Sequence, residues 1–276
     1  MSICAYCDNE CSPSREHIIP SFLYSYQRTS GGNIGWNESA KKIVGGEAKI
    51  RDVCRQCNNG ILSELDGYGK NFLTDAGVFV DNFLLKNKVV QYDHCLLLRW
   101  LMKLSFNSAR AAKNQAHILE CYRGFILGGE GDRGAPKNIF LLAGLVKPEK
   151  LSNEEAVKFS SQLPISDQGY SNPFFVRLSW VPGISGSHIV RSIVIGALVF
   201  HLVIFNSEVK PGFRRSQLRR WLKENKGMQL VDPSKWAINL KQTSRSFVDL
   251  QGMQLTRKEH YEAANNLLTN AGKGRS

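Results

Sequence analysis

The sequence lacks a long uninterrupted apolar segment. Its longest nearly apolar run, IVIGALVFHLVIF at 193–205, falls well short of the ~20 residues that span a bilayer and carries His201. A buried strand is the expected reading rather than a membrane span. Acidic residues are also scarce, with 24 Asp and Glu against 36 Lys and Arg, which leaves a net charge of +12 and a pI near 9.4. A surplus of that size favours polyanionic partners, meaning nucleic acid or an acidic membrane surface. Internal repeats and low-complexity blocks are absent. Met1 leads almost directly into Cys4, leaving no room for the basic and apolar regions of a signal peptide, so a cytoplasmic protein is expected. In a reducing compartment, seven cysteines point to a metal site or plain thiols rather than a disulfide scaffold.

What is present is a globular composition. The hydrophobic share is 42%, and 276 residues suffice for one large domain or two modest ones. Four cysteines fall into two C-x-x-C pairs, Cys4/Cys7 and Cys54/Cys57. Between them, SGGN at Ser30–Asn33 and GGE at Gly45–Glu47 signal a loop-like region. EAKIRDV, Glu47–Val53, partly alternates and reads as a strand ending at the second pair. After it, Ile61, Leu62 and Leu65 share one helical face. The N-terminal unit thus reads as strand, long loop, strand and helix, ending near Phe72. Further on, Asp93–Lys113 reads as a helix buried on more than one side. A glycine-rich break at Gly128–Gly134 precedes three strand-like stretches, starting at Asn138, starting at Phe174 and ending at Phe205. In the second, Val176, Leu178 and Trp180 alternate as in a half-buried strand. The fold class expected is α+β: a small N-terminal unit over 1–72, then a mixed helical and antiparallel-β domain over 73–276. The tail from Asn265 is expected to fray.

Each C-x-x-C turn presents two soft sulfurs to one ion, and two such turns close a tetrahedral site, so Cys4, Cys7, Cys54 and Cys57 read as structural zinc ligands. Cys11 is a further thiol whose spacing does not suit the same turn. Cys95 and Cys121 fall in helical or apolar segments and are expected to be buried. Between the halves of the zinc site stands REHIIP, in which Glu16 and His17 precede two β-branched residues and Pro20.

Together, CAYC, SREHIIP and VCRQCNNG resemble the zinc-stapled HNH endonucleases, of the ββα-metal or His-Me finger class, over residues 4 to about 70. The resemblance implies a metal-dependent endonuclease that hydrolyses phosphodiester bonds. DNA is its most natural substrate, with RNA left open. His17 then takes the place of the general base that deprotonates the attacking water, a task suited to an imidazole near neutral pH. Glu16 and Asn58 take the places of ligands to a catalytic Mg²⁺ or Mn²⁺, distinct from the zinc. Asn59 and Asp66 are reserves for Asn58: if the helix starts at once, Asn59, Ser63 and Asp66 align on its polar face. A plain helix N-cap is the other reading of Asn58. The sequence departs from the family where many members carry an asparagine before the third cysteine; Lys49 stands roughly there, and Asn33 or Asn37 are its possible substitutes. Compact proteins that join this module to a larger domain often serve in bacterial or phage defence and mobile-element systems, a context that the resemblance suggests. That implies a second domain that senses a ligand, binds a partner such as an ATPase or sensor subunit, or grips DNA.

Lys210–Lys226 is the other charged feature. Arg214, Arg215, Arg219, Arg220 and Lys223 recur there, and Arg215, Arg219 and Lys223 form one stripe on a helix, with Leu218, Trp221 and Leu222 turned elsewhere. Phosphate contacts and an ordinary solvated face both account for such a stripe. His94, His117, His188, His201 and His260 show no ligand spacing. Two non-catalytic readings compete with the nuclease: a zinc-ribbon-like nucleic-acid-binding protein, and a scaffold subunit whose β-rich region forms an interface.

Overall fold

The computed structural model describes residues 2–29, 34–37, 42–45, 47–77, 84–129, 135–159, 169–170, 176–181, 186–246 and 249–250. The chain opens with a short antiparallel pair, β1 (Ser2–Ile3) and β2 (Glu10–Cys11), around the first C-x-x-C turn. Asp8 closes that turn at φ 59, a left-handed conformation that a short polar side chain tolerates. Next come β3 (Pro13–His17), α1 (Ser21–Thr29), a hairpin of β4 (Ile34–Asn37) with β5 (Lys42–Gly45), and β6 (Lys49–Cys54). β6 returns antiparallel to β3. The loop inferred between the two strands therefore contains a helix and a hairpin. Its Ser30–Asn33 signal, and Asn33 itself, lie outside the described residues.

The helix after the second cysteine pair does not start as one piece. α2 (Arg55–Cys57) is a single short turn, Asn58–Leu62 forms a π-turn with a non-helical Gly60 (φ −92, ψ −116), and α3 runs Ser63–Asp75. The wide turn advances the chain's phase, so the alignment of Asn59, Ser63 and Asp66 on one outer face is not kept. π-Turns of this kind recur at functional sites.

β7 (Asn87–Gln91) leads to α4 (His94–Ala111), as the sequence indicated. Asp93 caps α4, its carboxylate accepting from Leu96 N at 2.8 Å. α4 is buried on several sides, including at Trp100, Lys103, Phe106 and Asn107. α3 lies so close that a Cβ on Gly69 would stand 2.1 Å from the Trp100 ring. Two short helices follow, α5 (His117–Glu120) and α6 (Arg123–Leu127), the latter ended by left-handed Gly128 at φ 74. Residues 130–134 of the glycine-rich break lie outside the described residues.

The remaining elements are β8 (Ile139–Lys147), α7 (Asn153–Phe159), β9 (Val176–Val181), β10 (His188–Ile195), β11 (Leu198–Phe205), α8 (Pro211–Glu224), β12 (Gln229–Leu230) and β13 (Ala237–Ser246). They complete a seven-stranded, mostly antiparallel sheet in the order β7-β13-β8-β11-β10-β9, with β12 paired to β8; only β13 and β8 run parallel. The mixed α and β class inferred from sequence is what the structure has. The apolar run at 193–205, expected as one strand, is instead the turn of a hairpin: β10 ends at Ile195, Gly196 turns at φ 55, and β11 begins at Leu198. β11 is apolar throughout because both faces are covered. Phe200, Leu202 and Ile204 join a core with α4, while Val199, Val203 and Phe205 join a second core with Leu218 of α8. The result is three layers: the N-terminal cysteine-pair unit with α3 and α4, the sheet, and α8. The first core runs without a break from Cys4, Leu23 and Val53 through Trp100 to Phe200 and Leu240, across residue 72. No helix among the described residues is long and apolar enough to cross a membrane. The tail from Asn265 lies outside the described residues.

Candidate metal centre and active site

The sulfurs of Cys4, Cys7, Cys54 and Cys57 all lie within 4.8 Å of one another, with Cys7 and Cys54 3.8 Å apart. Zn–S bonds of about 2.3 Å in a tetrahedron require sulfur separations of about 3.8 Å, so the donor set fits structural zinc. Backbone amides aim at these sulfurs: Cys54 N at Cys4 Sγ and Cys57 N at Cys54 Sγ, each 3.3 Å. Burial pushes the Cys4 thiol up, but the amides of Cys54, Cys7 and Tyr6 outweigh it and bring it down to about 7. Burial beside neighbouring sulfurs pushes Cys57 up, an opposition that a divalent cation relieves. Cys11 sits on β2 outside the cluster. Cys95 and Cys121, expected to be buried, are exposed: the first lies on the outer side of α4's first turn, the second in the turn between α5 and α6.

The two C-x-x-C turns frame the β3–β6 hairpin. β6 carries an extra residue between Ile50 and Val53, opposite Arg15. This bulge resets the alternation, so Val53 and Glu16 face inward while Arg15, His17, Lys49 and Arg51 face outward. The inward side meets α4. Tyr6, from the first cysteine turn, is 2% exposed and donates to Asn107 Oδ1 at 2.7 Å. Arg110 covers the rings of Tyr6 and Phe106 at 4.9 and 4.3 Å and holds Asp52 at 3.0 Å.

Glu16 belongs to this interior. It is 3% exposed, and its Oε1 accepts from Lys103 Nζ at 2.9 Å and Asn107 Nδ2 at 3.0 Å. Lys103 Nζ also donates to Asp66 Oδ2 at 2.6 Å and to Leu62 O at 3.2 Å. The ammonium therefore neutralises Glu16 at Oε1. Burial raises Asp66 against the lowering effect of Lys103. Asn58 donates from Nδ2 to Ser14 Oγ at 2.9 Å and Arg15 O at 3.1 Å, tying the π-turn to β3. Asn59 is exposed and Asp66 turns inward to Lys103. Of the pair the resemblance assigns to Mg²⁺ or Mn²⁺, Glu16 is thus already neutralised by an ammonium, and Asn58 is tied to β3 through its Nδ2. Asp66 does not replace Asn58, because its carboxylate serves the same ammonium.

Of the three expected catalytic residues Glu16 is buried, while His17 and Asn58 are partly exposed, His17 with 26% of its side chain accessible. Its backbone is pinned, since His17 O accepts from Asn107 Nδ2 at 3.0 Å and Ile18 N donates to Ala48 O at 3.0 Å. Its Nε2 lies 2.8 Å from Oε2 of Glu47, and Lys49 Nζ lies 3.1 Å from the same oxygen. Hydrogen bonds from His17 and then Lys49 hold the Glu47 carboxyl down at about 2. Tyr24 completes the corner: its hydroxyl accepts from Ala48 N at 2.9 Å and its ring centroid is 6.4 Å from that of His17. Sequence reasoning missed Glu47. Its only signal was a carboxylate just before the strand that pairs with the histidine strand.

The basic segment forms α8, on the sheet face away from α4. Arg214 is engaged within the fold: its guanidinium donates to the carbonyls of Val209, Ser207 and Lys137 at 2.6, 2.8 and 3.2 Å. Arg220 pairs with Glu224 at 2.9 Å. Arg215, Arg219 and Lys223 remain as an exposed stripe, with Leu218 buried and Trp221 donating to His201 Nδ1 at 3.2 Å. Compared with protein-family models, curated proteins and solved structures, the chain matches none.

Proposed function

We propose that the chain is a nucleic-acid phosphodiester hydrolase whose zinc-stapled hairpin presents His17 as general base. The observation that carries this is the surface-accessible His17 imidazole, set on an ionised Glu47 carboxylate at 2.8 Å and flanked by a fitted four-thiolate centre. His17 takes a proton from water, the water oxygen bonds to phosphorus, and the bond from phosphorus to the leaving oxygen breaks; that oxygen takes a proton from solvent. Zinc holds the frame and takes no part in the step. No step is routed through a second cation, since Glu16 already neutralises Lys103. Arg15, Arg51 and Arg55 are exposed around the hairpin and supply the positive surface that a phosphate backbone needs.

The test is cleavage of plasmid DNA and of a structured RNA by zinc-loaded protein, with and without added Mg²⁺ or Mn²⁺, beside His17→Ala. The expected result is cutting that falls at least about 10²-fold in the variant. Full-rate cutting by His17→Ala removes the histidine from the mechanism. A second reading, a zinc-ribbon-like nucleic-acid-binding protein, is favoured by the neutralised Glu16; it requires binding without cutting by either form, unchanged by the substitution.

A further inference from the structure

We infer that Glu47 is the positioning residue of His17 and determines which ring nitrogen accepts the proton. This rests on the nuclease reading above and adds a residue to it. A carboxylate can only accept, so the 2.8 Å contact between Glu47 Oε2 and His17 Nε2 requires the hydrogen on Nε2. In the neutral ring the lone pair then resides on Nδ1, and Nδ1 is the atom that takes the proton from water. Lys49 Nζ, 3.1 Å from the same carboxylate oxygen, keeps that oxygen anionic and fixed.

The surroundings leave the ring little freedom to find another partner. The backbone of His17 is held by Asn107 and its neighbour Ile18 by Ala48, the residue directly after Glu47. Ala48 is in turn bonded to the Tyr24 hydroxyl at 2.9 Å. Glu47 and His17 are thus brought together by the pairing of the same two chain segments. The arrangement is the carboxylate–imidazole logic of the serine-protease triad, in which the acid selects the tautomer and is not itself protonated.

The experiment uses the zinc-loaded full-length chain labelled with ¹⁵N in histidine, in mildly alkaline buffer, with kinetics on the same preparations. Wild-type His17 is expected to show a protonated Nε2 and an unprotonated Nδ1. Glu47→Ala is expected to mix the two tautomers and to lower kcat about 10²-fold, with KM changed less than about twofold and zinc content unchanged. Glu47→Asp is expected to restore the Nε2–H tautomer in part and kcat with it. Glu47→Gln, which keeps the side chain's size, is expected to mix the tautomers and serves if the alanine variant does not fold. A wild-type ring protonated on Nδ1, or a tautomer unmoved in both Glu47→Ala and Glu47→Gln, overturns the inference. If wild-type protein cuts neither DNA nor RNA, the nuclease reading falls, while the tautomer measurement still upholds or overturns the coupling of Glu47 to His17.

Discussion

Lys103→Met tests whether Glu16 is an interior counter-ion or a metal ligand. Lys103 is 1% exposed and makes three contacts, to Asp66 Oδ2 at 2.6 Å, Glu16 Oε1 at 2.9 Å and Leu62 O at 3.2 Å. Methionine fills a similar volume but leaves Glu16, 3% exposed, without its cation. Removing one partner of a buried pair costs about 3–5 kcal/mol, because the remaining charge stays desolvated. With a urea slope of about 3 kcal/mol/M, the midpoint should fall by about 1–2 M. Adding Glu16→Gln should return at least half of that loss, since a neutral amide no longer needs the ammonium and can still accept from Asn107. The remaining carboxylate, Asp66, loses the same ammonium while its Oδ1 stays buried without a partner, and it accounts for the part of the loss that is not returned. Urea unfolding at constant zinc, followed by circular dichroism, reads the three proteins. A Lys103→Met cost under about 1 kcal/mol, or a double variant no better than the single, would refute the argument and return Glu16 to the list of available metal ligands.

Three further outcomes are expected. Gly69→Ala should destabilise by about 1–3 kcal/mol, because its Cβ would sit 2.1 Å from the Trp100 ring; Gly67→Ala on the same helix, where a Cβ meets nothing within 4 Å, should stabilise by up to about 1 kcal/mol, and equal effects in thermal melts would contradict the packing of α3 on α4. Cys54→Ser should lose the single zinc measured by elemental analysis and lower the melting temperature of the whole molecule, because Cys4, Cys54 and Cys57 share one core with Trp100 and Phe200; an unchanged melt with zinc retained would count against the centre. His201, buried under Trp221, has its pKa pushed down to about 3 by desolvation from an unfolded value of 6.5. Its contribution is complete above about pH 6.5 and is lost as pH falls toward about 3, at roughly 1.4 kcal/mol per pH unit. Unfolding curves of His201→Gln should lack that slope, and a variant with the wild-type slope would show that His201 is not its source.

The residue pattern announced the parts that depend on local spacing. C-x-x-C turns are set within four residues, so the four-cysteine cluster could be read directly, and it needs only that the two turns meet. α4 was legible because its apolar density and the Asp93 cap are encoded along one helix, and β8 because its apolar run is continuous. The hairpin of β10 and β11 was harder: a strand covered on both faces reads as unbroken apolar sequence, and only Gly196 marks the turn. α1 and the β4–β5 hairpin were hidden beneath glycine and polar signals that read as loop.

The candidate site divided along the same line. Residue types and order identified His17 and the zinc frame, since a histidine between two thiolate turns is a local arrangement. Which way each neighbour points was decided by the tertiary structure. The packing of β3 against α4 turns Glu16 toward Lys103, alternation leaves His17 on the other face, and a π-turn after Cys57 carries Asp66 inward and Asn58 onto β3. Glu47 reaches His17 from thirty residues away only because β3 and β6 pair at that register. Sequence spacing encodes contacts within a turn or a strand; the partner of a buried charge is chosen by the element packed against it, and here that element is α4.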